Sequence, residues 1–404
     1  MTLAELRLGL VSMALARFAA FLSCVFHHSF QPMPSVNSIP TELWRTIITA
    51  ACTDGGFTGS SLALTTHFFH AQSLSPRFRS LAFDDLRHME DFLSFLRAQP
   101  KECSPWIEHL YISFLRESTV TTPDFWKTFS RLSPTEKEEY KRSKLQQKDE
   151  WDDRFIFIVS RLLRLSAPTL RTLCILEDGG SAQLPCIPCT SLPKLEELSC
   201  KRRIPTFLPE PSSCPDNSLH GPPISPFAQL PALKRLHCVE GNPEGMLRAL
   251  SLSPPCSLTH LRFSDSYEPT PAVFADVLGM EPSLGHPQQS RPSALKLLVV
   301  HTTGPAPGDF CDAPFAMWEE GVECMRDWAR LYEESEKGTR VVVIGRAWRK
   351  NGRWPDRLYD DWLDRMNDGK GCWVECDEDE QELEIYEDDS CSDLDGVDWN
   401  NGDL

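Results

Sequence analysis

Cys186-Ile187-Pro188-Cys189 is the stretch whose spacing comes nearest to metal or redox chemistry, because two thiols three positions apart can clasp a zinc ion or cycle through a disulfide. A structural zinc needs a second ligand pair, and the cysteines in reach, Cys200 and Cys214, stand in contexts better explained otherwise. No strand–helix–strand pattern flanks the motif, so a thioredoxin-like role lacks its scaffold. His27/His28 and His67/His70 have no Asp or Glu at metalloprotease spacing. Phosphate-cradling glycine loops, a dinucleotide fingerprint and a nucleophile elbow are all missing from the sequence. Fifteen cysteines and 11 histidines offer many Cys/His pairs, but no pattern singles one out. Lys201-Arg202-Arg203 and Arg346–Arg353, the latter with Trp348 and Trp354 interleaved, are the basic clusters that could track a nucleic-acid backbone. Acidic residues surround them, and they read as surface, or as a docking site for the chain's own acidic end. The expectation is a protein with no catalytic residue, no metal and no cofactor, not an enzyme, and with no nucleic-acid partner.

Composition narrows the setting. The odd, irregularly spaced cysteines in a chain of 404 residues do not make a secreted disulfide framework, so free thiols in the cytoplasm or nucleus are expected. The formal charge of −17 is local: 14 of the 58 acidic residues, and none of the 41 basic ones, fall in 375–404. That tail is too charged to pack a core, and the rest of the chain is close to neutral. Residues 1–30 are apolar and helix-prone, but Arg17 splits the run and makes it a poor membrane span. As a secretion leader, Leu8–Leu15 is a short apolar core without a convincing basic start, since Glu5 offsets Arg7. An amphipathic extension over 1–36 without stable membrane insertion, or a mis-assigned start codon, is the simpler reading.

The body repeats. A pattern of leucine, two residues, leucine, one residue and an apolar residue occurs at Ile107/Leu110/Ile112, Leu170/Leu173/Ile175, Leu195/Leu198/Cys200, Leu233/Leu236/Cys238, Leu258/Leu261/Phe263 and Leu295/Leu298/Val300. Its alternating end suits a short strand with one buried face. The last five copies start 25, 38, 25 and 37 residues apart. This is the mechanic of a leucine-rich repeat: one strand per copy, stacked in parallel, with return segments behind. The 38-residue gap holds a proline-rich excursion over 204–228, and a charged insertion over 133–153 opens with a capping box at Ser133-Pro134-Thr135-Glu136. Helical stripes are expected over Leu86–Leu96, around Phe155–Leu163 and over Ala316–Glu336, with a last strand at Arg340–Ile344.

Ahead of the repeats, Ile39-Pro40-Thr41-Glu42-Leu43-Trp44 opens a helix carrying Ile47 and Ile48, Asp54-Gly55-Gly56 breaks it, and a second apolar segment bears Leu62, Leu64, Phe68 and Phe69. This order of pieces resembles an F-box, and more closely the F-box-like proteins of mushroom-forming fungi. The resemblance implies binding to a Skp-type adaptor of a cullin complex. Pro40, Leu43, Trp44, Ile47, Ile48, Leu62 and Leu64 would form the apolar adaptor face, and the repeats would hold an unidentified client protein. It departs from the common F-box pattern in having Phe68-Phe69 where a tryptophan often stands. The expected fold is α/β: a helical F-box-like module over 37–85, a leucine-rich-repeat domain over 86–345, a basic and aromatic segment over 346–374, and an acidic tail over 375–404. The expected function is a substrate receptor of a Skp–cullin–F-box ubiquitin ligase. The alternative is a leucine-rich-repeat scaffold with no ubiquitin role.

Overall fold

A computed structural model describes residues 39–99, 105–115, 129–178, 187–188, 191–201, 207–208, 227–240, 257–266, 294–303, 313–334, 338–346 and 354–373, with a few single positions between them. The N-terminal extension, the Cys186/Cys189 pair, Cys214, Arg202, Arg203, His27, His28, Trp348 and the acidic tail lie outside the described residues.

The chain is α/β, built on an eight-stranded parallel sheet. Its strands are β1 (Ser80–Phe83), β2 (His109–Leu115), β3 (Thr172–Asp178), β5 (Glu197–Lys201), β7 (Arg235–Val239), β8 (His260–Ser266), β9 (Leu297–Thr303) and β10 (Arg340–Arg346). They lie side by side in chain order. Two-residue strands β4 (Ile187–Pro188) and β6 (Phe207–Leu208) make a separate parallel pair, so part of the proline-rich excursion joins a small sheet of its own.

The register explains the repeat. Leu81, Leu110, Leu173, Leu198, Leu236, Leu261, Leu298 and Val341 stand in one row across all eight strands. Two residues on, Phe83, Ile112, Ile175, Cys200, Cys238, Phe263, Val300 and Val343 form a second row on the same face. Every one of these side chains is buried in a single apolar core. The first residue of each copy, from Ile107 to Leu295, turns into the same core just before its strand. Six copies are visible in the sequence; β1 and β10 extend the ladder by one strand at each edge. β1 lies inside the 37–85 stretch, so the helical module runs directly into the sheet.

Among the described residues, three long helices pack on this first face. Helix α4 (Leu86–Ala98) is started by Asp85, whose carboxylate accepts from the Arg87 N–H; it buries Leu86, Met89 and Leu93. Helix α5 (Pro134–Ser166) has the expected capping box: the Glu136 N–H donates to Ser133 Oγ at 3.3 Å and the Ser133 N–H to Glu136 Oε2 at 2.8 Å. The charged stretch is not an insertion closed near Asp153, because the helix runs on unbroken into the Phe155–Leu163 stripe. No proline or glycine interrupts 135–166, and the apolar stripe holds the C-terminal half on the sheet while the charged half stays solvated. Helix α6 (Ala313–Glu334) buries Val322, Met325, Ala329 and Tyr332 at i, i+3, i+7 and i+10. Among the described residues no helix is long and apolar enough to cross a membrane.

Candidate functional site

The N-terminal module consists of α1 (Thr41–Ala51), α2 (Phe57–Ala63), α3 (His67–Ser73) and a 3-10 turn at Pro76–Phe78. Pro40 precedes the first turn, where its fixed φ and missing N–H do no harm, and its carbonyl accepts from the Leu43 and Trp44 N–H groups. Two apolar pairs at i, i+4 spacing then run down α1 on adjacent stripes, and they have opposite fates. Trp44 and Ile48 point inward; the Trp44 ring meets Phe68 and Phe69 edge-on at centroid distances of 6.3 and 5.1 Å. Leu43 is 55 % exposed and Ile47 half-buried.

Of the seven residues that the resemblance assigns to an adaptor face, Trp44 and Ile48 are therefore interior. They hold the module together, because Phe68-Phe69 supplies the aromatic wall against which Trp44 packs. Pro40, Leu43 and Leu64 are exposed, the last at 87 %, and Ile47 and Leu62 lie between the two classes. Phe57, 45 % exposed at the first position of α2, belongs with the exposed group, and its place directly after the glycine break was the signal for it. His67 is exposed at the start of α3, while the His70 ring packs back toward the Ala63 carbonyl.

The glycine break has two jobs. Gly55 and Gly56 sit at φ +76° and +94°, where a side chain is strained. A Cβ on Gly55 would also stand 2.9 Å from Ala82 Cβ of β1, so the loop lies flat on the sheet. The Ala82 N–H donates to the Gly55 carbonyl and the Gly55 N–H to Ser80 Oγ. Arg79 completes the joint, donating from Nη1 to the Thr49 carbonyl and from Nε to Glu108 Oε2 at 2.7 Å. His109 and this guanidinium hold the Glu108 carboxyl down at about 2.

The second face of the sheet has different chemistry. Its central row reads Ala82, Tyr111, Cys174, Ser199, His237, Arg262, Val299 and Val342. Helix α7 (Trp354–Met366) and a 3-10 turn at Gly371–Trp373, both inside the basic and aromatic segment, lie over this face. Leu358, Trp362 and Met366, at i, i+4 and i+8, pack with Tyr111, Cys174, Leu176 and Val239. Glu197 is the polar centre. Its carboxylate accepts from Trp373 Nε1 at 2.9 Å, Arg365 Nε at 3.2 Å and Arg235 Nη1 at 3.2 Å. Arg262 donates to the Cys372 carbonyl.

Reactive groups here are silenced by burial. His237 contacts Ser264 Oγ through Nε2 at 2.9 Å, which has the look of a base–nucleophile pair. Both residues are buried, and His237 Nδ1 has no carboxylate orienting it, so neither substrate access nor tautomer control is in place. Burial pushes the imidazole pKa well below its ordinary value, which keeps it neutral. The Cys174, Cys238 and Cys372 thiols are raised by burial, and Cys52 is pushed up to about 12, where thiolate is scarce. Cys200 is a core residue, buried on the first face with its sulfur 3.9 Å from that of Cys238. Lys201 is buried and paired with Glu240 at 2.9 Å, so it is no free phosphate-binding group. Among the described residues no group of three or more His, Cys, Asp or Glu side chains could hold a metal ion.

Among the described residues, α1 and α2 leave apolar side chains exposed, and the second sheet face lies buried beneath α7. No family model, curated protein or solved structure matches this chain.

Proposed function

We propose that the protein is a substrate receptor of a Skp–cullin–F-box ubiquitin ligase: an F-box-like module docks on the adaptor, and a leucine-rich-repeat solenoid holds the client. The observation that carries the reading is the split of the two α1 stripes. A module whose only task was to pack on the sheet would bury its large apolar residues. Here Trp44 and Ile48 suffice for that, while Pro40, Leu43 and Leu64 are left in solvent and Ile47 and Leu62 are only partly covered. Each large side chain newly buried by a partner contributes about 1.5–3 kcal/mol before ordering costs, so five such positions are enough for a specific interface. The eight strands in chain order, with one consistent leucine row, support the repeat half of the reading. Such a receptor acts by proximity, holding a client near the transfer machinery, and needs none of the reactive groups that burial has quieted.

A pull-down with a Skp-type adaptor tests this. Wild type binds, and Leu43→Asp with Leu64→Asp, both changes at solvent-exposed positions, abolishes binding while the fold is retained. Absence of binding by wild type, or binding untouched by the double change, leaves the repeat scaffold without a ubiquitin role as the surviving reading.

A further inference from the structure

A parallel sheet buried on both faces as permanent core is apolar on both faces. The first face here obeys that rule along two full rows. The second does not: beneath and beside α7 stand Thr172, Glu197, Ser199, His237 and Arg262. Among the described residues, what covers them is an amphipathic helix with three apolar anchors on one stripe, followed by an indole that reaches Glu197. This is the arrangement of a helix seated in a partner's groove, anchored by side chains and oriented by a charge pair.

The seat is also imperfect. Among the described residues, Asp361 Oδ2 and Trp362 Nε1 are buried with no hydrogen-bond partner, and Arg357 Nε stands 4.0 Å from that Asp361 oxygen. A cavity of about 20 Å³ remains among Thr172, Ser199, Asp361 and Trp362. Unsatisfied polar groups and voids both subtract from what the three apolar anchors contribute to holding α7 on the sheet.

We propose that the second sheet face is a receptor for an amphipathic helix, which the chain fills with its own C-terminal helix until a partner helix of the same chemistry displaces it. The partner carries apolar side chains at i, i+4 and i+8, an arginine just before the third, and an aromatic N–H donor downstream for Glu197. The proposal rests on the client-binding half of the reading above and is independent of adaptor binding.

Two measurements on the full chain test it. In wild-type hydrogen exchange at rising denaturant, α7 amides exchange through an opening that leaves the β3, β5 and β7 amides protected; exchange of α7 only with the whole sheet overturns the proposal. In the second, a fluorescent peptide spanning residues 354–374 is titrated into wild type and into Trp362→Ala/Arg365→Ala. The weakened variant stays folded and binds the peptide at least tenfold more tightly than wild type, and adding Glu197→Gln, or making Arg365→Glu in the peptide, lowers that affinity about tenfold. Global unfolding of the variant, a folded variant that ignores the peptide, or equal binding of a scrambled peptide overturns it. A failed adaptor pull-down with a positive peptide titration removes the ligase and keeps the receptor face; the opposite pair of results does the reverse.

Discussion

Ile48 and Leu43 are aliphatic neighbours on one helix, and truncating each to alanine should have opposite consequences. Ile48 is 1 % exposed. Its change to alanine removes three carbons, worth roughly 2.4 kcal/mol at about 0.8 kcal/mol each, and leaves a cavity that adds to the cost. Little relaxation is open to the site, because α1 is tied to the sheet through Arg79 and the Gly55 loop. The expected loss is therefore about 3 kcal/mol, within the measured span for such changes. Leu43, more than half exposed, should cost less than about 0.5 kcal/mol. Adaptor affinity should invert the order: Leu43→Ala should weaken binding tenfold or more if the side chain is an interface anchor. The assays are urea unfolding followed by tryptophan fluorescence, and adaptor titration under conditions where both variants are folded. Equal destabilisation by the two changes, or a stable Leu43→Ala protein with unaltered affinity, would refute the division of α1 into an inner and an outer stripe.

Glycines give a second contrast: Gly59→Ala should destabilise by about 1–3 kcal/mol, because its Cβ would lie 2.5 Å from Arg77 Cα, whereas Gly321→Ala, with nothing within 4 Å, should stabilise α6 by about 0.5–1 kcal/mol in the same unfolding assay. Glu108 has its carboxyl lowered from 4.5 to about 2, so the stability it supplies is complete above pH 4.5 and is lost as pH falls toward 2. Solvent screening keeps this contribution below about 3 kcal/mol, and Glu108→Gln should flatten the urea midpoint between pH 5 and pH 3; an unchanged slope contradicts the assignment. Among the described free cysteines Cys324 is exposed and the other five are buried, so iodoacetamide followed by mass mapping should label Cys324 first and reach Cys52 and Cys174 only on unfolding.

The leucine row was legible because each copy repeats one physical demand: two alternating apolar positions on a buried strand face, and a third that turns in before it. β1 was not, since Ser80-Leu81-Ala82-Phe83 is short and follows so closely on the helical module that its apolar residues read as part of it. The unity of α5 was missed because a change from charged to amphipathic composition looks like a boundary, although nothing in the chain stops the helix there. Hydroxyls placed just before a copy also tie it to the preceding one, Thr169 to the Ile107 carbonyl at 2.7 Å and Ser257 to the Leu233 carbonyl at 2.8 Å, a regularity hidden among ordinary serines and threonines. For the site, the resemblance assigned seven apolar residues to one face, and their spacing could not tell an inner stripe from an outer one. Trp44 goes inside only because Phe68 and Phe69 are there to receive it. The cover on the second face rests on contacts such as Arg365–Glu197 between residues 168 positions apart, which no local pattern encodes.

Helix α7 touches both surfaces, and that sets a limit on how far they can influence each other. On the sheet side it holds Glu197 and the apolar anchors. On the module side Thr53 donates through Oγ1 to Asn367 Oδ1 at 3.2 Å, and the Tyr359 hydroxyl lies 3.4 Å from where a Cβ of Gly55 would be. A ligand can shift an equilibrium only by the contacts that differ between its two states. Among the described residues, the module's side-chain hydrogen bond to this end of the chain is Thr53–Asn367, so its loss when α7 leaves the sheet costs on the order of 1–1.5 kcal/mol. Client binding on the second face should then change adaptor affinity by no more than about tenfold. The Gly55 loop itself stays in place, since its bonds to Ser80 and Ala82 do not involve α7. On the proposed reading, the adaptor and client ends would act side by side on one sheet, with weak crosstalk through α7.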